Sequence, residues 1–215
     1  MGYKHLYLPS TKNIYKMKKL ALLLALGVST LMHAQKMKIV SGNYDFLKDQ
    51  KELNLVMDFS DVKFYKENMD EAAYVLKREK EILDAGKSNI EFEEWKNDWQ
   101  HFKKTVFTDK FLASMNKNTS IVTSTNNNNA KYTLQVETVW IYPGWYAGVM
   151  AQPSKVSTIL KFVETLNPTV VLLEIESKEA PGDNFVGVPN NNDRIAEGYA
   201  KTAKTLAKKI SKKVK

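Results

Sequence analysis

The sequence predicts an α+β domain: a mostly antiparallel sheet of about five strands with helices packed on one face, in the order β-β-α-α-β-β-β-α. Three observations predict it. Apolar and polar residues alternate with period two in several short segments, three longer segments carry an apolar stripe at helical spacing, and turn-forming residues separate them. No internal repeat interrupts this order.

Each element has its own signal. Met37–Ser41 is a short apolar run, and Gly42–Asn43 and Asp49–Gln50 are turn material. In the next run Leu53, Leu55, Met57 and Phe59 alternate with Asn54, Val56 and Asp58, a strand with one buried face. Met69–Asp84 reads as a helix with Ala72, Ala73, Leu76, Lys80 and Leu83 at helical spacing, capped by Asn68 and ended by Ala85–Gly86. Glu91–Met115 is a second helical stretch. Its stripe is Trp95, Trp99, Phe102 and Val106, its acidic start (Glu91, Glu93, Glu94) suits the positive end of the helix dipole, and a break near Thr108–Asp109 is compatible with the pattern. Asn116–Asn129 reads as a polar surface loop. Three strands follow: Lys131–Tyr142, with Tyr132, Leu134, Val136, Trp140 and Tyr142 on one face; Lys155–Thr165; and, after an Asn167–Pro168 turn, Thr169–Ser177 with Val171, Leu173 and Ile175 inward. The stretch from Glu179 to Asn192 is a loop rich in Pro, Gly and Asn. The last helix starts near Asp193, its expected N-cap, and buries Ile195, Tyr199, Thr202, Leu206 and Ile210.

Residues 1–34 stand apart. Lys18 and Lys19, then the apolar run Leu20 to Val28, then Ser29 to Ala34 form the three parts of an export signal, with cleavage expected after Ala34. The apolar run from Leu20 to Met32 is roughly 13 residues, short of the ~20 that span a membrane. Residues 1–16 fit no signal, so translation is expected to start at Met17. The exported chain, residues 35–215, is expected to be a single periplasmic or secreted domain with no integral membrane span.

Composition narrows the function classes. The chain contains no cysteine, which excludes disulfides, thiolate metal sites and a lipidated N-terminal cysteine. The net charge of +8 is partly the signal's: without the five lysines of residues 1–34, 27 basic residues face 24 acidic ones, a net +3. That balance does not mark a nucleic-acid binder.

Catalytic constellations are weak. Gly86–Lys87–Ser88 looks like the end of a phosphate-binding loop, but the glycine that loop needs five residues earlier is Glu81. His101 is the only histidine after residue 34 and lacks metal-ligand or triad partners. Asp58 and Asp61 at a strand end are the one pair suited to a carboxylate-dependent hydrolase, and turn formation explains them equally. No catalytic residue, metal site or cofactor is expected.

Binding signals are stronger. Trp140, Tyr142, Trp145 and Tyr146 crowd a strand end and a Pro143–Gly144 turn; rings placed there can stack on a sugar or grip a protein partner. The alternative is that Trp140 and Tyr142 are core while Trp145 and Tyr146 cover the sheet end. Asp193 and Arg194, with Glu197, form a second candidate at the start of the last helix, where first-turn charges also serve capping. The lysine-rich last helix has small apolar residues and no Trp or Phe, which suits packing better than membrane insertion.

Several of these features together resemble a group of small exported bacterial proteins of unknown function. They are the Ala34–Gln35 junction, the Gly42/Phe46–Leu47–Lys48 segment leading into Leu53–Phe59, the Trp95/Trp99 helix, the Tyr142–Pro143–Gly144 turn and Arg194 to Tyr199. In element order the chain is more distantly similar to periplasmic domains of the curli-secretion lipoprotein and TolB N-terminal type. That resemblance implies a role in envelope assembly rather than catalysis, without the lipid anchor. The expectation is a non-catalytic module that binds an envelope protein or glycan, with a hydrolase or an oligomer-forming structural subunit as alternatives.

Overall fold

The computed structural model describes residues 35–147, 150–182 and 191–214. The expected signal segment and residues 183–190 of the Glu179–Asn192 loop lie outside the described residues. The strands are β1 (Lys36–Gly42), β2 (Glu52–Asp58), β3 (Lys63–Phe64), β4 (Val122–Thr125), β5 (Tyr132–Tyr142), β6 (Trp145–Ala147), β7 (Met150–Gln152), β8 (Lys155–Glu164) and β9 (Val171–Pro181). The helices are α1 (Glu71–Asp84), α2 (Asn89–His101), α3 (Phe107–Asn118) and α4 (Asn191–Lys213).

One seven-stranded sheet runs β1-β9-β8-β5-β2-β4, with β3 continuing beyond β2 along the same edge of β5. From β1 to β5 every pairing is antiparallel. The pairings of β2 and β3 with β5, and of β4 with β2, are parallel. The α+β class and a sheet whose longest ladders are antiparallel therefore hold. The expected five strands gain two short ones, and β6 and β7 form a separate hairpin.

β4 corrects the reading of Asn116–Asn129 as loop throughout. Asn116, near the end of α3, donates from Nδ2 to the Thr123 carbonyl (2.8 Å) and accepts at Oδ1 from the Thr123 N–H (2.7 Å). The side chain thus satisfies the outer backbone edge of a strand whose inner edge pairs with β2.

The helices follow local chemistry. Asp70, rather than Asn68, caps α1, its Oδ1 accepting from the Ala73 N–H at 2.8 Å. Asn68 instead sits at φ 52° in the preceding turn. Gly86, at φ 77°, ends α1, and Ser88 opens α2 in a capping box with Glu91. Gly86–Lys87–Ser88 is therefore a helix-to-helix link. No break occurs at Thr108–Asp109; a single π-helical turn, Phe102–Val106, joins α2 to α3. That turn adjusts the register so that Trp99, Phe102, Phe107 and Phe111 all reach the core.

The expected apolar face of α1 is the wrong one. Tyr74 and Ile82 are buried, whereas Ala72, Ala73, Leu76, Lys80 and Leu83 point to solvent. Tyr74 wins because it stacks on buried Phe64 with centroids 4.2 Å apart and meets Trp99 edge-on at 5.5 Å. On α4, by contrast, Ile195, Tyr199, Thr202, Leu206 and Ile210 are buried as expected. Gly198 allows α4 to lie close on the sheet, since a Cβ there would meet Val156 Cγ2 at 2.8 Å. In β9, Leu173 and Ile175 are inward, but Val171 is exposed at the hairpin end.

Candidate aromatic binding shelf

The shelf is created by one extra residue in β5. Tyr132, Leu134, Val136 and Thr138 face the helices and are buried. The ladder with β8 then slips between Thr138 and Trp140, a β-bulge that leaves Val139 without an opposite partner. Past the bulge the alternation is inverted. Ile141 is buried against Val156, while Trp140 and Tyr142 stand on the face away from the core, opposite Ser157 and Lys155. The sequence reading, which kept Trp140 and Tyr142 on the face of Leu134 and Val136, is corrected by this single insertion.

On that outer face the two rings are nearly parallel, 13° apart with centroids separated by 6.3 Å. Tyr65 meets Tyr142 edge-on at 5.8 Å. Their polar ends are tied to the protein itself. The Trp140 indole donates to the Tyr65 carbonyl at 2.7 Å, the Trp145 indole donates to Gln152 Oε1 at 3.1 Å, and the Tyr142 hydroxyl donates to the same oxygen. Such anchoring fixes ring orientation before any ligand arrives. Burial and, after it, the nearby Glu81 carboxylate push the Tyr65 hydroxyl up to about 12, so it stays neutral.

Gly144 holds the hairpin against this row. It lies at φ 73°, and a Cβ there would meet the Gln152 carbonyl oxygen at 2.5 Å and the Ser154 nitrogen at 2.6 Å. The turn folds β6 onto β7, with Trp145 opposite Gln152. Of the four tryptophans, Trp145 is the one left exposed, at 42 %. The side chain of Tyr146, the fourth expected ring, lies outside the described residues. Around the rings the surface is polar: exposed Lys63 pairs in register with Trp140, Lys155 with Tyr142, and Lys155 bonds Glu179 at 2.6 Å. Lys77 lies over the Tyr65 ring, 5.3 Å from its centroid.

Tyr65 and Gln152 were not singled out by sequence. Tyr65 follows a two-residue strand too short to show periodicity, and Gln152 becomes relevant only once β7 folds back.

The second expected site takes a structural form. Asp193 is inside the first turn of α4, which starts at Asn191, rather than at its cap. Arg194 is only 4 % exposed, and its guanidinium donates to Asn191 Oδ1. The expected mutual pairing of Asp193, Arg194 and Glu197 is replaced: Glu197 pairs with Lys110 at 2.5 Å. Burial first, then Asp98, raise the Asp193 carboxyl above its ordinary range. Gly182 packs on the Arg194 turn, where a Cβ would sit 1.9 Å from its carbonyl oxygen. Arg194 is thus a packing residue beneath the surface.

Of the carboxylate pair, Asp61 is exposed and Asp58 is accounted for locally. Asp58 accepts from the Ser60 N–H at 2.9 Å and from its hydroxyl at 3.1 Å, a turn-forming arrangement. His101 is exposed at the end of α2, with its ring edge-on to Phe102. Among the described residues there is no group of three His, Asp or Glu able to hold a metal ion, and no helix long and apolar enough to cross a membrane.

No protein-family model matches the chain, and no protein of curated function does. Among solved structures it is similar to the PelC dodecamer from Paraburkholderia phytofirmans in two crystal forms. One, a point variant, is 9 % identical, covering 83 % of this chain and 98 % of that one with a TM-score of 0.41. The other is 10 % identical, covering 82 % and 95 %, with a TM-score of 0.37. Likenesses at these TM-scores establish neither a shared fold nor a shared activity, so the functional reading rests on the shelf and its surroundings.

Proposed function

We propose that this chain is an exported, non-catalytic envelope module that binds a glycan on the shelf of Trp140, Tyr142 and Trp145. The observation that carries the reading is the inversion of β5, which places large rings on the solvent side of a sheet and ties their polar ends internally. Rings held this way offer apolar surface to the C–H faces of a sugar. The immediate fringe of Lys63, Lys155 and Glu179 offers charged hydrogen-bonding groups to hydroxyls. A protein partner would be better served by a wider apolar centre.

Export is supported by the three-part segment at Met17–Ala34 and by the resemblance in element order to periplasmic envelope domains. The test is retention of the protein on immobilised cell-envelope polysaccharide. Trp145→Ala is expected to weaken retention about tenfold, the scale of one lost ring contact. Equal retention of the two proteins would remove the shelf as the binding surface.

A further inference from the structure

Every lysine of α1 and α2 has an acidic partner one turn away: Lys77 pairs with Glu81, Lys80 with Asp84 and Lys96 with Glu93. The last helix departs from that pattern. No acid follows Glu197, and Lys201, Lys204, Lys208 and Lys212 succeed one another at spacings of three and four residues. They form one exposed row about 17 Å long, at 1.5 Å per residue. Among the described residues none of the four enters a salt bridge. Like charges at these spacings destabilise a helix. The helix dipole offsets this only in the last turn, at Lys212 and Lys213. Lys201, Lys204 and Lys208 lie outside its reach, and α4 holds because its opposite face, from Ile195 to Ile210, is buried in the core.

Beside the row a recess opens between α4 and α3. Ser114, Lys117 and Asn118 of α3 line it together with Lys201 and Lys204 of α4, around a volume of about 380 Å³. The two helices are tied there, Ser114 donating from Oγ to the Ala200 carbonyl at 2.7 Å. The one acid of the recess, Glu197, is taken by Lys110 at 2.5 Å. The recess therefore presents three ammonium groups from two helices, and the row carries their charge onward along α4.

We infer that this face binds a linear acidic polysaccharide, with one of its carboxylates in the recess and the next along the lysine row. The chemistry of the face selects that partner. Its cations call for an anion, in a chain whose charges are nearly balanced elsewhere. A membrane is a plane and does not enter a recess between two helices, and the exposed face of α4 has no large apolar side chain to insert. Single-stranded nucleic acid is gripped by stacked rings and arginines, and the row has neither. A thin chain with one carboxylate per sugar ring fits both the recess and the row. The face lies on the helix side of the sheet, away from the aromatic shelf, and acts independently of it.

The experiment is surface plasmon resonance of the protein on immobilised polygalacturonate, with dextran as the neutral polymer and vesicles of phosphatidylglycerol in phosphatidylcholine as the anionic plane. The wild type is expected to bind polygalacturonate and not dextran, weakening at least about tenfold between about 50 and 200 mM salt. Lys201→Gln/Lys204→Gln is expected to weaken binding about tenfold at the lower salt. Lys48→Gln/Lys51→Gln removes the same net charge from exposed lysines elsewhere and is expected to stay within about twofold of wild type, as is Trp145→Ala. All of these positions are exposed, and circular dichroism confirms folding. Failure of the wild type to bind polygalacturonate overturns the inference. So does an equal loss in the two lysine pairs, which makes net charge the cause, or tighter binding to the vesicles than to the polymer. Loss in Trp145→Ala with none in Lys201→Gln/Lys204→Gln also overturns it, while leaving the shelf as the glycan site.

Discussion

Single residues set the state of the candidate surface. Trp140, Tyr142 and Trp145 each bring an apolar body and a polar tip, and the tips are spent on Tyr65 and Gln152. What remains outward is the apolar part, which is why a hydrophobic surface can persist amid lysines. Asp193 shows the converse. Its carboxyl titrates above the ordinary range because burial, and then Asp98, disfavour its charge. A carboxyl raised in the folded state favours folding while protonated and loses that advantage as pH climbs through its folded value. Asp193→Asn is therefore expected to be more stable than wild type near about pH 7, with the difference vanishing near about pH 3. Thermal unfolding of both proteins across that interval checks this, and a difference that grows toward acid would contradict it.

At the scale of the element, β5 is decisive. Its first half is an ordinary half-buried strand, and its second half reverses which residues face the core. The reversal depends on one inserted position. Deleting Val139 would remove the bulge yet keep Trp140 and Tyr142 outward and Ile141 inward, because the remaining residues then alternate from Thr138 without interruption. The deletion variant is expected to stay within about 1 kcal/mol of wild type, measured as its urea midpoint. A loss of several kcal/mol would show that Val139 does more than take up the extra position. The joined helices α2 and α3 make the same point differently. A π-helical turn between them, rather than a loop, keeps Trp99 and Phe107 within 5.9 Å of each other in the core.

For the whole molecule, the sheet gathers elements distant in sequence. β1 pairs with β9, and Gln35, just before β1, donates to Ser177 Oγ at 2.8 Å and accepts from Thr205 Oγ1 at 2.7 Å. The residue expected to begin the exported chain is thus bonded to both the last strand and the last helix. Sequencing the N-terminus of protein recovered from the periplasm or medium is expected to read from Gln35; a start at Met1 or Met17 would refute the signal reading. The open face of the sheet carries charges in opposed pairs, such as Glu137 with Lys161 at 2.7 Å. The aromatic shelf lies at one end of that face, beyond the β5 bulge.

Much of the fold was legible because periodicity is local. The alternation of β2 and β9, the stripe of α4 and the end of α1 at Gly86 depend on neighbours within a few residues, and the chain carries them openly. The aromatic cluster was legible as a cluster for the same reason. Its orientation was not, because a bulge in β5 exists only relative to the register of β8. Nor was the buried face of α1, where two apolar faces compete and the one with a ring to meet Phe64 and Trp99 is taken inside. β4 escaped notice because one valine and three hydroxyl-bearing residues become a strand only beside β2 and the Asn116 amide. Local chemistry fixes which residues form helices and strands. Which side of each element meets the core is settled by pairing and packing across the chain, where steric fit and satisfied hydrogen bonds outweigh local preference.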